Sequence, residues 1–508
     1  MDQLLALEIL LSGENVLLTG PAGSGKTYVL NEFIRESKRI GKHVSVTATT
    51  GLAATHISGT TIHSWSGIGI LDELPEDFED ELLKSRRDII EATDILVVDE
   101  ISMLHDYRLD MVDYVARKVR EDERPFGGMQ VVLCGDFFQL PPVNRYDSRE
   151  GGFVVNAEVW EKLDPVICYL GEQHRQDDEV LLDILNAIRQ GDIRRRHAET
   201  LLARLDVSLG DVTELHTVNV DVDRINQLKL NALDGEEQAY EALTTGKENY
   251  VASLKRSCIA QETLILKQGA LVMAIKNSLE RKYVNGSIGI VKAFEVITNY
   301  PIVEFRSGKI VTMKPDTWEL RDGDKKRASL SQIPLRLAWA ITVHKSQGMT
   351  LDAARIDLRK AFVEGMGYVA LSRVRSLDGL SLVGINQMAL RVSDEALRID
   401  TTLRKKAADD HARFEHLRKN ALKRQKDETK KVALKEKKTS TWNERLEKMR
   451  EKHPNAYRPW TNEQDAILKQ SFLAGVSVKK LSKQLGRHEK SILLRLQKHF
   501  GEDAIALQ

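Results

Sequence analysis

Residues 20–27 read Gly20-Pro21-Ala22-Gly23-Ser24-Gly25-Lys26-Thr27, a glycine-rich loop with the spacing G-x-x-x-x-G-K-[ST]. Glycines let such a backbone curl until its N–H groups point at phosphate oxygens. The N-terminus of a following helix adds a favourable field for the anion. In this pattern Lys26 reaches the outer phosphates and Thr27 ligates magnesium. Asp99 and Glu100 close the apolar run Ile95–Val98, which would deliver both carboxylates to the carboxyl edge of a sheet, where ligands bind. Asp99 is the residue to hold magnesium, through water, and Glu100 is placed to polarise the water that attacks the γ-phosphate. The plainer reading is a strand that happens to end in acids; the phosphate loop argues against it. The chemistry implied is nucleoside triphosphate hydrolysis with Mg2+, and these two elements are silent on what the energy does.

Three further residues speak to that. Gln139, in Gly135–Val143, follows another apolar run, where a side-chain amide can link the γ-phosphate to a loop leading elsewhere. Arg175, in Glu172–Gln176, and Arg373, in Tyr368–Arg373, lie far from the phosphate loop in sequence. A motor needs cations from an opposite lobe on the γ-phosphate, so that the cleft closes with ATP and opens without it; an arginine in that role is worth about 10³–10⁵ in rate. A surface salt bridge is the bland alternative for either one.

The elements that must position these groups follow from the pattern. Asn15–Leu18, His43–Thr47, Asp94–Val98 and Gln130–Leu133 read as buried strands, each followed by a loop and a helical stretch such as Tyr28–Ser37. That alternation predicts a parallel sheet covered by helices. Pro165–Leu170, Glu214–Thr217, Arg355–Leu358 and Ser381–Val383 read as a second such block. Between them, Leu264–Ile275, Ser287–Ile297 and Ile302–Phe305 are rich in β-branched residues, with turns at Asn285-Gly286 and Ser307-Gly308, and predict a small inserted antiparallel barrel. Thr461 with Gln464 predicts a capping box opening a last three-helix pattern. Its core would be Ile467, Leu468, Phe472, Leu481, Leu485, Ile492, Leu493 and Leu496. Arg487, His488, Lys490, Arg495 and Lys498 would decorate its final helix.

The 508 residues exceed one compact core, and their formal net charge of +0 is unevenly spread. Residues 401–450 hold 17 Lys/Arg against 8 Asp/Glu, leaving the first 400 net acidic by about 13. A basic stretch on an acidic body suggests an anionic partner; a solvated helical linker is the equal alternative. Cys134, Cys168 and Cys258 form no C-x-x-C pair, which points to reduced packing residues and a cytosolic or nuclear compartment. No run approaches a membrane span, and an N-terminus opening on Asp2 lacks the basic region of a secretory signal. The expectation is a cytoplasmic protein, nucleoid-associated in a prokaryote, with no membrane partner.

In order along residues 1–390, the stretches Gly20–Thr27, Thr47–Gly51, Thr61–Trp65, Val97–Met103, Gly135–Val143, Gly171–Gln176, Trp339–Leu351 and Gly367–Arg373 resemble the motifs of the PIF (petite integration frequency) helicase family, superfamily 1 class B. Met103–Val143 looks like the family's own signature, separating it from RecD-like relatives. The resemblance implies an α/β fold of two RecA-like P-loop NTPase lobes with parallel sheets, an inserted SH3-like β-barrel and a C-terminal all-α helix-turn-helix domain. The boundaries expected are 1–170 for the first lobe, with a wedge insertion near 66–90, and 171–400 for the second, with the barrel near 250–330. A basic helical linker over 401–456 and a Myb-like module over 457–508 complete the chain. The implied activity is ATP-dependent 5′-to-3′ DNA unwinding in replication, repair or recombination. The partners would be single-stranded DNA and forked duplex DNA, and the enzyme a monomer. Gln3 stands where the family reads adenine, a solvent-exposed glutamine being the alternative. One departure is Met366 after Gly365, where similar proteins carry Gly-Gln.

The strand is expected to cross the tops of both lobes, held by groups that grip phosphates without reading bases. The candidates are Thr50, Gly51, His63, Ser64 and Trp65 in the first lobe, and Thr342, His344, Lys345, Ser346 and Gln347 in the second. Trp65 would stack on a base, worth about 1–3 kcal/mol, or pack against its own lobe. Val284–Gly286 of the barrel would help clamp the strand. The terminal module binds duplex DNA through its last helix, docks a protein, or is structural. Against the helicase reading stand a translocase that unwinds poorly and a nucleotide-switched DNA-binding adaptor with negligible turnover.

Overall fold

The computed structural model describes residues 1–500 apart from 58, 70, 77, 79–81, 145–148, 172–177, 211, 259, 277, 279–281, 284–286, 323–324, 425–446 and 448. The chain divides into two compact units, Met1–Ala421 and Leu422–Gln508.

In the larger unit six short strands form a parallel sheet, most of them Val/Leu/Ile runs buried on both faces. They are β1 (Val16–Thr19), β2 (Val44–Ala48), β3 (Thr60–Thr61), β4 (Ile95–Asp99), β5 (Gln130–Gly135) and β6 (Val166–Tyr169), in the order β3-β2-β4-β5-β1-β6. The phosphate loop, the Asp99-Glu100 pair and the Gln139 loop thus leave the carboxyl ends of three adjacent strands. Helices Gln3–Leu11 and Lys26–Arg39 pack one face through Leu5, Ile9, Val29 and Phe33, and helix Asp106–Arg120 packs the other through Leu109, Val112 and Val115. One assignment is corrected: Pro165–Leu170 belongs to this first sheet, because Val16 pairs with Val132 on one side and Val166 on the other.

The second parallel sheet has the order β18-β7-β19-β20, built from β7 (Thr213–His216), β18 (Ala340–Thr342), β19 (Ala354–Leu358) and β20 (Leu380–Ile385). Between β7 and β18 lies a larger and more composite insertion than expected. A five-stranded antiparallel sheet joins β11 (Leu271–Ala274), β12 (Ile288–Phe294), β13 (Pro301–Phe305), β14 (Ile310–Thr312) and β17 (Leu335–Leu337). A three-stranded sheet joins β9 (Leu243–Gly246), β15 (Asp316–Asp322) and β16 (Lys325–Gln332), and a ribbon joins β8 (Gln238–Glu241) to β10 (Thr263–Leu266). The apolar run 264–275 breaks into two strands because Gly269 takes φ +87°, a left-handed value that turns the chain. Val284–Gly286 lies outside the described residues.

Two boundaries also move. Residues 401–414 are no linker: helix Asp394–Phe414 packs on β6 through Leu403, Ala407 and Phe414, and buried Asp410 accepts the Ile167 N–H at 2.8 Å. Of the expected wedge, residues 84–92 are a helix packed on the first lobe through Ile90. The segment before it is tied down by Asp72, which accepts from Tyr107 Oη at 2.9 Å and Arg108 Nη2 at 2.8 Å.

The smaller unit holds helices Asn462–Leu473, Val478–Leu485 and Glu489–Phe500 around Leu468, Leu481, Leu485, Ile492 and Leu496. Ile467 falls outside that core, at 39% exposure. Thr461 caps the first helix by accepting the Gln464 N–H at 3.2 Å, but the Gln464 side chain accepts from Arg487 instead of completing the box. Arg487 is buried over the Trp460 ring at 4.2 Å, and Arg495 pairs with Asp465 at 2.5 Å, so neither arginine is a free surface cation.

Candidate functional site

The phosphate loop is held tightly from behind. Gly20 has φ +146°, and a side chain there would meet the Leu170 carbonyl at 2.4 Å. Gly25 has φ +85°, and a Cβ would strike Gln3 Nε2 at 2.1 Å. Gln3 itself donates to the Ser24 carbonyl at 3.1 Å, so the expected adenine reader lies against the loop. The loop borders a cavity of about 430 Å³ whose walls include Lys26, Thr27, Asp99, Glu100, Gln139 and Arg373. Thr350 and Arg375, neither singled out as a candidate, line it as well.

Electrostatics in this cavity follow from burial. Lys26 donates to the Gly20 and Pro21 carbonyls at 2.8 and 3.0 Å, and burial lowers its pKa against the pull of Asp136 and Glu100. Burial raises the Asp99 carboxyl. Burial first, and then the neighbouring Asp99 charge, push Glu100 up to about 7. Glu100 occupies left-handed backbone, φ 54° and ψ 44°, which turns the chain abruptly after β4. The donor set fits a magnesium nucleotide: Thr27 and Asp99 offer the oxygen ligands that Mg2+ prefers, and the Ser24 hydroxyl is buried without a partner among the described residues. Arg373, 1% exposed, is braced by donating to the Val369 carbonyl at 2.8 Å and to Ser372 Oγ at 2.7 Å. Arg175 and its Glu172–Gln176 motif lie outside the described residues.

Behind the loop is a buried network that the sequence did not announce. Arg189 Nη1 donates to both Asp136 oxygens at 2.6 and 2.7 Å. Tyr368 donates to Asp136 at 3.1 Å and accepts from Ala22 N–H at 2.9 Å and Arg189 at 3.1 Å. Burial alone would raise the Asp136 carboxyl, but Arg189 and Lys26 outweigh it and hold it below its ordinary value. Tyr368 lies in the short helix Met366–Leu371 that leads to Arg373, so this network joins the phosphate loop to the arginine's support.

A second cavity of about 220 Å³ shares Thr27, Asp99, Glu100 and Gly348 with the first and is walled further by Thr50, Met103, His344, Lys345 and Gln347. Gln347 Nε2 donates to Glu100 Oε2 at 2.8 Å and to Gln139 Oε1 at 3.1 Å.

The family model described as PIF1-like helicase matches residues 2–199. The ATP-dependent DNA helicase Pif1 of a Psychrobacter species is 41% identical over 83% of this chain and 73% of its own length. The chain belongs to the PIF1-like helicase family. The human ATP-dependent DNA helicase PIF1 is 37% identical over 80% of this chain, which spans 64% of that longer protein. A crystal structure of Bacteroides Pif1 with ADP-AlF3 and single-stranded DNA superposes with a TM-score of 0.60 at 32% identity, covering 81% of this chain and 98% of that one.

Of the strand-binding residues expected in this helicase, the structure brings Thr50, His344, Lys345 and Gln347 to one cavity. Gly51 opens the helix Gly51–His56 beside them. His63 and Ser64 lie on the helix Ile62–Ser66, and burial lowers His63 to about 4, so its imidazole is neutral at physiological pH. Three candidates are corrected. Trp65 is 2% exposed and packs in the core of its own lobe, so no face is left for a base. Ser346 is buried and donates to the Val343 carbonyl at 2.7 Å. Thr342 is buried and accepts the Lys345 N–H at 3.3 Å. Gln347 lines the cavity, and its amide nitrogen donates to Glu100 and Gln139. An aromatic that sequence reading passed over is Phe362, 60% exposed, whose ring lies near-parallel to His344 at 6.3 Å and offers a face to a base. Met366 is fully buried and makes no polar replacement for the family's usual glutamine. Among the described residues no helix is long and apolar enough to cross a membrane.

Proposed function

We propose that this ATP-dependent DNA helicase moves 5′-to-3′ along single-stranded DNA and unwinds forked duplex DNA as a monomer, by opening and closing the gap between its two parallel-sheet halves. The observation that carries the reading is the composition of one cavity wall. Lys26, Thr27, Asp99, Glu100 and Gln139 come from the first sheet's side, and Gly348, Thr350, Arg373 and Arg375 from the second's. A γ-phosphate between them is sensed by both halves, so its loss changes their attraction. Glu100 takes the proton of the attacking water, Lys26 holds the outer phosphates, and Arg373 with Arg175 neutralises charge that develops on the transferred group. Mg2+ held by Thr27 and Asp99 would neutralise phosphate oxygens.

Thr50, His344, Lys345 and Phe362 are the surfaces for the strand, with the antiparallel insertion as the barrel that clamps it. The segment anchored by Asp72 is the wedge at the fork. The 5′-to-3′ sense is what the family resemblance implies. Residues 457–508 are read as a Myb-like module contacting duplex phosphates through exposed Lys479, Lys480, Lys483, Lys490 and Lys498. The test is ATP turnover and strand separation on 5′-tailed against 3′-tailed duplexes. Unwinding confined to the 5′ tail is expected; equal or 3′-confined unwinding would refute the direction.

A further inference from the structure

Gln347 sits where a phosphate-gripping residue was expected, yet its amide faces the hydrolytic side. It is 7% exposed, and the two hydrogens of Nε2 have two acceptors, Glu100 Oε2 at 2.8 Å and Gln139 Oε1 at 3.1 Å. The same short turn carries His344 and Lys345, which wall the 220 Å³ cavity together with Thr50 and Glu100. One loop therefore touches the place where the strand is read to lie and the carboxylate that must activate water. A carboxylate oxygen that accepts a strong amide hydrogen bond is a poorer base and is fixed in direction.

We propose that Gln347 is a positioning residue that restrains Glu100 while no DNA is bound, and that a DNA phosphodiester entering the cavity beside His344 and Lys345 draws the loop away and frees the carboxylate. Nucleotide turnover is then stimulated by the strand because the strand breaks one specific contact. The proposal rests on the strand path given under Proposed function. By linkage, a contact present only in the DNA-free state also opposes DNA binding.

The experiment compares Gln347→Met, which keeps length and volume but lacks the amide, with the full-length wild type. ATP turnover is measured without DNA and with saturating oligothymidylate, and oligothymidylate affinity is measured separately. The expected result is a DNA-free kcat raised about tenfold, the factor matching a hydrogen bond to a charged group. The stimulation ratio should shrink accordingly, the KM for ATP should stay within about twofold, and DNA should bind more tightly. Gln347→Asn, whose amide falls a methylene short of spanning both acceptors, should move kcat in the same direction and serves if the methionine variant does not fold. A DNA-free kcat that is unchanged or lower, with weaker DNA binding, would make Gln347 a strand contact and overturn the proposal. A wild type whose turnover ignores DNA would remove the strand reading as well; a stimulated wild type with an unaltered variant removes this proposal alone.

Discussion

Tyr368→Phe removes one oxygen from a buried ring and leaves the packing in place. That hydroxyl has one hydrogen and two lone pairs, and the structure uses all three: it donates to Asp136 and accepts from Ala22 N–H and Arg189. Without it, Asp136 and Arg189 stay paired at 2.6 and 2.7 Å, so no charge is orphaned. Ala22 N–H loses its acceptor in a site where Tyr368 has no exposure. The expected cost is therefore that of one unsatisfied buried donor, about 1–3 kcal/mol. Asp136→Ala should cost more, about 3–5 kcal/mol, because it takes from buried Arg189 the carboxylate at 2.6 and 2.7 Å and leaves it the more distant Asp400 at 3.6 Å. The assay is urea unfolding of the full chain, read as the free-energy difference between variants, with ATP turnover measured alongside. Turnover should fall several-fold in Tyr368→Phe, since the hydroxyl ties the phosphate loop to the helix that supports Arg373. A phenylalanine variant as stable as wild type would refute the reasoning, and so would one as damaged as Asp136→Ala.

Glu100→Gln should lower turnover by at least about 100-fold while nucleotide still binds, as read by titration with a fluorescent ATP analogue. Because the wild-type carboxyl is raised to about 7, kcat/KM for ATP should fall as pH drops below that value. The same shift predicts a stability effect of definite sign. An acid whose folded pKa lies above its unfolded value takes stability away as it ionises, so the glutamine variant should unfold later than wild type at about pH 8 and equally at about pH 4. Ending the chain after Ala421 should leave turnover intact and weaken DNA affinity with a shallower salt dependence, each lost phosphate contact removing about 0.9 from the slope. An unaltered affinity and slope would dismiss the Myb-like unit as a DNA contact. Ending it at Asp400 instead should damage the motor, because it strips Leu403, Ala407 and Phe414 from β6.

The parallel strands and the nucleotide cavity were legible because each is written locally. Val16–Thr19 before Gly20, or the four apolar residues before Asp99, state a buried strand and the edge it reaches in one stretch of chain. Arg189 carries no such signature, since its partner Asp136 is 53 residues away and the pairing exists only after β5 and helix Glu179–Arg189 have packed. Charge counting failed over residues 401–414 for a related reason. Lys405 and Arg413 face water and dominate the composition, while Ile399, Leu403, Ala407 and Phe414 form a sparse apolar stripe that docks the helix.

The strand-facing residues show where residue type stops being informative. A threonine, serine or glutamine can grip a phosphate or brace a turn with the same atoms, and the sequence assigns both roles equally. Burial separates them. Ser346 at 0% and Thr342 at 3% exposure spend their oxygens on the turn, which leaves Lys345 of the same turn as the cation beside the cavity. Gln347 is separated by direction as well, since both hydrogens of its amide nitrogen are taken on the hydrolytic side. A turn braced in this way moves as a unit, so a phosphate pulling on Lys345 is also pulling on Gln347 two residues later. Coupling between strand and hydrolysis then needs no long pathway. It requires that the turn stay rigid, which is what the buried hydroxyls of Ser346 and Thr342 provide.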